Sequence, residues 1–367
     1  MLFRSYRFVL PAILGAVFWA YPSFGSVGTN GADFLSIPVG GAPAALGGAY
    51  SALADNAYSP TWNPGGLGFL DSTQVAGQHL SYLESMNYEY ASFVHPLHGG
   101  RSLGVAAQYL TSGDIPGTDP SGNSIGDFST HYGAYAVAYG QKVSDRLAFG
   151  LASKWINAKI SDVSANAYAV DMGGFYKARE NLNFAATVDN IGSKLKFVSA
   201  NDSLPLAFHL GGAYQMTSYA LLAVEGVYAE EGLASFHAGG EWRPLDLIAL
   251  RVGYRTDTIK GLSALAGFST GLALDFWGQE FSYAWLPYGD LGNTNYFSLL
   301  MKFGEAEKEK RNLIQYQHIK LHRTAKSGGE SDSDAEDPDN QQLMELIQNA
   351  GPQLSQGSSP AADGGSR

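Results

Sequence analysis

The sequence has no cysteine, which removes disulfides, thiolate catalysis and Cys-ligated metals together and suits an exported chain that avoids unwanted oxidation. Charge is scarce as well. Asp, Glu, Lys and Arg make up 16% of the 367 residues, against about 25% in an average soluble domain. Basic residues are the scarcer kind: 23 Lys and Arg stand against 34 Asp and Glu, for a formal net charge of -11. Nucleic acid is excluded as a partner, because phosphate binding needs clustered Lys and Arg and no basic stripe interleaved with aromatics is present. Beyond the first 25 residues, no run approaches the roughly twenty apolar residues that a membrane-spanning helix needs.

What is abundant is glycine, with 45 copies, and aromatic side chains, at 13%. Together with a mean hydropathy of -0.10, this composition suits a surface that is partly lipid and partly water. The first residues, MLFRSYRFVLPAILGAVFWAYPSFGS, combine Arg4 and Arg7, an apolar run from Phe8 to Ala20, and small residues at Ser23 and Gly25. Residues 1–25 therefore read as a cleaved secretory signal peptide, with an uncleaved anchor as the alternative. An exported chain with no later spanning helix is either soluble outside the inner membrane or a β-barrel in the outer one.

From Asp71 to Gly304 the sequence is a succession of segments about ten residues long, alternating with period two and broken by turn residues. In LPLAFHLGGAYQM, Leu206, Phe208, Leu210, Tyr214 and Met216 share one face, and Ala207, His209, Gly211, Ala213 and Gln215 the other. In DLIALRVGYRTD, Ile248, Leu250, Val252 and Tyr254 face one way and Arg251 and Arg255 the other. A sandwich strand also alternates, but its exposed face carries far more charge. Short turns such as HGGR at 98 and REN at 179 alternate with longer stretches, notably Ser112 to Asp127 and Gly192 to Ser203.

The pattern predicts an all-β, antiparallel transmembrane barrel of about fourteen strands over residues 71–304, in the bacterial outer membrane with lipid as its surroundings. Tyr109, Trp155, Tyr176, Tyr228, Trp242 and Trp285 fall near segment ends, where aromatic girdles form. NTNYFSLLMKFG, with Phe297, Leu299, Met301 and Phe303 outward, is the segment expected to close the barrel so that no edge faces lipid. His209, Arg251, Arg255, Asp275 and Lys302 are expected in a polar lumen.

Residues 26–70 read differently. In GGAPAALGGAYSALADNAYSPTWNPGGLG, Pro43 stands where a first-turn proline would, and Leu46, Tyr50 and Leu53 follow at helical spacing. Ala44, Gly47, Gly48 and Ala52 leave another side nearly bare, as a helix packed closely inside a barrel requires. The turn at Asn63, Pro64, Gly65 and Gly66 then leads into the first strand. This segment reads as a plug with a short helix, and Leu46, Gly47, Gly48, Asp55, Asn56, Trp62 and the Asn63–Gly66 turn are its candidate gate residues. Asp55 and Asn56 either cap a turn or line the gate, with capping the preferred reading.

Residues 305–367 change character again. EAEKEKRNLIQYQHIKLHRTAK is charged and helix-prone, GGESDSDAEDPDN is an acidic linker, and QQLMELIQNAG puts Leu343, Leu346 and Ile347 on one stripe. With an even strand count this tail leaves the barrel on the periplasmic side, where it offers a docking point for a secretion-system or periplasmic protein or else stays frayed.

Motifs suggesting other chemistry are weak. GFSTG, Gly267 to Gly271, matches a nucleophile elbow, but that device needs a strand feeding a helix; here it joins two strand-like segments, so Ser269 is read as non-catalytic and the chain as no enzyme. His318 and His322 share a helical face but lack a third ligand, and Asp114, Asp119 and Asp127 match no calcium-loop spacing. Nothing calls for a metal or cofactor.

The stretch FLSIPVGGAPAALGGAYSALADNAYSPTWNPGGLG, Phe34 to Gly68, resembles the N-terminal motif of the PorV/PorQ-type outer-membrane proteins, a branch of the FadL-like barrels. ATVDNIG, Ala186 to Gly192, is similar to a second recurring element of these barrels. The resemblance extends from about Gly31 to Gly304 and leaves the acidic tail outside. It implies a fourteen-stranded barrel with its N-terminus folded into the lumen. PorV-like members work with the type IX secretion system, and FadL-like members move hydrophobic compounds across the outer membrane. The first role is the expected function and the second, with a hydrophobic ligand, the alternative. The shared Asn-Pro turn, carried over to Asn63 and Pro64, implies a plug or hatch in either case.

Overall fold

Period-two alternation places one face of each segment in lipid and the other in the lumen, and an unpaired edge in lipid costs several kcal/mol per group; closure is the outcome. The computed structural model describes residues 30–197, 200–230, 234–258 and 264–304. The signal-peptide reading of residues 1–25, the tail helix and His318 and His322 lie outside the described residues.

Fourteen antiparallel strands close into one barrel. They are β1 (Thr73–Ser81), β2 (Asn87–Leu97), β3 (Arg101–Thr111), β4 (Thr130–Ser144), β5 (Leu147–Ile160), β6 (Val163–Arg179) and β7 (Leu182–Gly192), followed by β8 (Ala207–Thr217), β9 (Ala220–Ala229), β10 (Ser235–Leu245), β11 (Ile248–Arg255), β12 (Phe268–Phe276), β13 (Gln279–Pro287) and β14 (Asn293–Phe303). The seam is made by β1, in which Gln74 pairs with Val94 on one side and with Lys302 on the other. Two small hairpins, Ile115–Thr118 with Ser124–Phe128 and Leu195–Phe197 with Ala200–Asp202, stand outside the barrel sheet. Asp119, in the tip of the first, accepts from the backbone N–H groups of Ser121 and Asn123 and so shapes the turn.

The connections are unequal at the two ends. One end carries only tight turns, at 98–100, 145–146, 180–181, 218–219, 246–247 and 277–278, while the other carries the longer loops, both hairpins and a single two-residue turn at 161–162. Outer-membrane barrels keep short turns in the periplasm and long loops outside, which orients the molecule. Tyr109, Tyr228 and Trp285 project outward near the external ends of their strands, and Tyr176 and Trp242 near the periplasmic ends. Trp155 lies further in, stacked on Tyr135 at 5.4 Å.

The lumen is filled by residues 30–72. This segment contains α1 (Gly41–Ala45), α2 (Ser59–Trp62) and 3-10 turns at Asp33–Ser36 and Pro64–Phe69. The helix predicted from the Leu46, Tyr50, Leu53 spacing stops at Ala45, because Gly47 and Gly48 take φ of +67° and +80° and turn the chain out of the helical path. The inward faces of β4, β5 and β6 are largely Ala and Gly, including Ala136, Ala138, Ala152, Ala167 and Gly173, so plug backbone lies directly against wall backbone.

Candidate functional site: the plugged lumen

The plug runs the length of the lumen. At the external end, Gly31 donates its N–H to Ser203 O at 2.9 Å, and Phe34 packs against Tyr88 and Tyr132. Midway, Gly40 N–H donates to Gln78 and Gly41 N–H to Ser298 Oγ. Ser269, the serine of the elbow-like motif, donates its hydroxyl to Ala45 O at 2.9 Å. The bend at Leu46 and Gly47 presses on β11 so closely that a Cβ on Gly253 would fall 2.1 Å from Gly47 N.

The Asn-Pro turn lies against β5 and β6. Asn63 is fully buried; its amide donates to Ser51 O at 3.0 Å and to Gly174 O at 3.2 Å, and its carbonyl oxygen accepts from Gly65 N–H at 2.9 Å. One side chain thus ties the turn to itself, to the rest of the plug and to the wall. Pro64 O rests on Gly150, and Gly66 crosses Ala54 O at a separation that no Cβ would permit. Asn56 Oδ1 accepts from Tyr58 N–H, closing an Asx turn, while its amide donates to Tyr50 Oη at 2.7 Å. Asp55 reaches the periplasmic end, 3.5 Å from Lys177 Nζ, which also lies over the Phe69 ring at 4.4 Å.

The strongest plug anchor was not predicted. Glu225, on β9 and 1% exposed, accepts from Tyr50 N–H, Ser51 N–H and Ser51 Oγ at 3.0, 2.9 and 2.7 Å through one carboxylate oxygen. Its other oxygen faces His209 Nδ1 at 2.7 Å, and His209 Nε2 lies 3.3 Å from Asp189. Beyond Asp189 the sheet bulges: the register moves from Met172 opposite Val188 to Val170 opposite Ile191, and Asn190 adopts φ of +64°. The bulge turns both Asp189 and Asn190 inward. Asn190 N–H donates to Asp171, and Lys154 Nζ bridges Asn190 Oδ1 at 2.8 Å and Asp171 at 2.6 Å. A polar chain therefore runs across five strands, from Lys154 on β5 to Glu225 on β9, and on to the plug. Its sequence signal is the pair of adjacent polar residues in DNIG, which breaks strict alternation.

The predicted lumen-facing residues divide into two groups. Arg251, Asp275 and Lys302 line a cavity of about 410 Å³ on the periplasmic side, where Arg251 pairs with Glu241 and Glu280, and Arg243 with Glu241, Asp275 and Glu280. His209 and Arg255 line a second cavity of about 650 Å³ on the external side. Burial would raise the Asp257 carboxyl, but the adjacent, hydrogen-bonded Arg255 guanidinium holds it well below the usual carboxylate range.

Between the cavities stands an aromatic septum. Trp62 lines the external cavity, Tyr50 and Tyr58 the periplasmic one, and the Tyr50 and Trp62 rings meet edge to face at 5.7 Å. Tyr58 stacks on Tyr90 of the wall at 5.8 Å, and Trp62 Nε1 donates to Val39 O at 2.9 Å. Of the predicted gate residues, Leu46 borders the periplasmic cavity and Gly48 and Trp62 the external one, while Asn63 and Pro64 brace the plug against β5 and β6.

The sequence model of a family described as Type IX secretion system protein PorV matches residues 25–226. No curated protein matches the chain in sequence. Among solved structures, the CymD monoaromatic hydrocarbon channel superposes with a TM-score of 0.53 at 12% identity, covering 73% of this chain and 98% of that one. The Ralstonia pickettii toluene transporter TbuX gives 0.52 at 11%, covering 72% and 98%, and the Pseudomonas putida toluene transporter TodX gives 0.50 at 12%, covering 71% and 96%. At such identities the likeness is one of fold.

Proposed function

The chain belongs to the PorV family of type IX secretion system proteins, and we propose that it acts in the bacterial outer membrane as a plugged platform on which exported proteins are received or assembled. The observation that carries this reading is the sealing of the lumen. The plug is hydrogen-bonded to β1, β9, β12 and β14, through Gln78, Glu225, Ser269 and Ser298. No polypeptide passes a lumen filled in this way, so the working surfaces are the rims, the loops and the lipid-facing wall. Ser269 serves as a plug anchor, and reaction chemistry has no part in the reading.

The test is native mass spectrometry of the protein extracted from its own outer membrane in mild detergent after light cross-linking. A stoichiometric protein partner that is lost on deletion of Glu305 to Arg367 supports the platform and assigns the tail a recruiting role. A barrel that carries only an apolar small molecule refutes it.

A second reading, passage of hydrophobic compounds, is favoured by the cavities on the two sides of the Tyr50 and Trp62 septum. It predicts that truncating the external loops abolishes uptake of an apolar solute and leaves protein export intact. The platform predicts the reverse.

A further inference from the structure

The lipid-facing wall is not uniform. Cross-strand pairing aligns Arg101, Gln141, Phe149, Gly174, Ala186 and Leu210 as one continuous outward row across β3 to β8. Gly174 and Ala186 stand side by side in it, with Phe149 on one flank and Leu210 on the other. In the row above, Leu151, Met172 and Val188 are all large and apolar. The result is a groove of about 750 Å³ in the outer wall.

The row climbs through the membrane. Arg101 is the first residue of β3 at the periplasmic rim, whereas Leu210 lies well above Thr217, which ends β8 on that side. Five strand-to-strand steps of about 4.8 Å carry the row roughly 24 Å across the sheet, and a strand tilt of about 40° turns this into a rise of roughly 15 Å. That is half of a hydrocarbon core about 30 Å thick, or one leaflet.

The low end of the groove is lined by Gln141 and Val143, and the rim just beyond it is cationic. Arg101, Arg146 and Arg179 are exposed at the periplasmic ends of β3, the β4–β5 turn and β6, and none makes an ion pair among the described residues. Two carboxylates lie nearby: Asp145, which is held by Lys142 at 3.1 Å, and the exposed Glu180. Across the barrel the contrast is plain. The periplasmic turns at 218–219, 246–247 and 277–278 contain no cation, and Arg243 is spent on three inward carboxylates.

We propose that this groove and its arginine rim form a binding site for one anionic phospholipid of the periplasmic leaflet, with an acyl chain along Gly174 and Ala186 and the phosphate at Arg101 and Arg146. Both halves of the amphiphile are matched. Arginine suits phosphate by charge and by its planar fork of donors, and a wall facing hydrocarbon fills such a groove with a lipid tail. The proposal depends on outer-membrane residence and not on the secretion reading.

The experiment uses the full-length protein in mild detergent, incubated with an equimolar mixture of phosphatidylglycerol and phosphatidylethanolamine and weighed by native mass spectrometry. One phosphatidylglycerol per barrel is expected, retained about tenfold over phosphatidylethanolamine. Ala186→Phe, which fills the groove from the lipid side, abolishes retention. Arg101→Gln and Arg146→Gln each lower the preference by about fivefold, the effect of one cation near an anionic surface, with heat-modifiable gel migration reporting that the barrel is folded. Equal retention of the two lipids, or unchanged retention in both kinds of variant, overturns the proposal. If Ala186→Phe fails to fold, the arginine variants alone decide. A photo-cross-linking residue at position 186 that labels a protein in the native membrane, and no lipid, also overturns it by naming a polypeptide as the occupant.

Discussion

The carboxylate of Glu225 takes both the backbone N–H and the hydroxyl of Ser51, at 2.9 and 2.7 Å, so that a wall residue holds the middle of the plug by a charged group. Hydrogen bonds to charged groups contribute about 1.5–3 kcal/mol each, and His209 and Asp189 support the acceptor from behind. Glu225→Ala therefore loosens the plug more than loss of any neutral contact. In planar bilayers the frequency of conducting events rises about tenfold or more, since tenfold corresponds to about 1.4 kcal/mol. His209→Ala produces a smaller rise. A silent Glu225→Ala barrel contradicts the anchor.

The septum makes a separate prediction. Trp62→Ala removes the ring that meets Tyr50 and joins the external and periplasmic cavities. Proteoliposomes carrying this variant swell in small neutral solutes, and those carrying the native chain do not. The barrel itself is expected to keep its heat-modifiable migration, because the hydrogen bond and ring contact of Trp62 are to Val39 and Tyr50 within the plug.

Two adjacent glycines separate plug contact from wall stability. A Cβ on Gly173 would fall 2.1 Å from Asn63 Oδ1, whereas one on Gly174 meets a Phe149 ring atom at 3.4 Å. Gly173→Ala is expected to displace the Asn-Pro turn at a cost of about 1–3 kcal/mol, the usual penalty of overpacking. Protease sensitivity of the plug reads that displacement. Gly174→Ala leaves it unchanged.

The external rim predicts a pH dependence. Asp257 is held below the ordinary carboxylate range of about 3.9, so the stability of its link to Arg255 is complete above that range. It is lost only as the pH falls through the lowered folded-state value. Asp257→Asn weakens thermal stability at neutral pH and removes this acid-dependent part. Melting curves of both proteins between neutral and strongly acid pH measure the difference.

The barrel was legible because a wall between lipid and lumen repeats one rule at every strand. Leu210 outward and His209 inward, or Val252 outward and Arg251 inward, follow from alternation alone. The plug was legible through its Gly, Ala and Asn-Pro content, and the Asn63 side chain ties the turn to both plug and wall. The Glu225 anchor was not, because it joins positions 174 residues apart in the chain and a lone glutamate in an alternating strand reads as lumen polarity. The Asp189 and Asn190 bulge left a trace as two successive polar residues, but the inward turn of both depends on Asp171 and Lys154 of neighbouring strands. The early end of α1 follows from φ at Gly47 and Gly48; Gly47 lies against the β11 backbone at Tyr254 and Gly48 against His237 and Trp62, contacts that spacing does not reveal.

The seam between β1 and β14 joins the two ends of a wall whose interior is already occupied, and that bears on how the molecule is made. The plug touches β5 and β6 through the Asn-Pro turn, β9 through Ser51, β12 through Ala45 and β14 through Gly41. These contacts give the strands a mandrel to curl around while the sheet is still open. Pairing of Thr73 with Phe303 encloses these contacts, so a plug laid on the open sheet would need no threading through a finished ring.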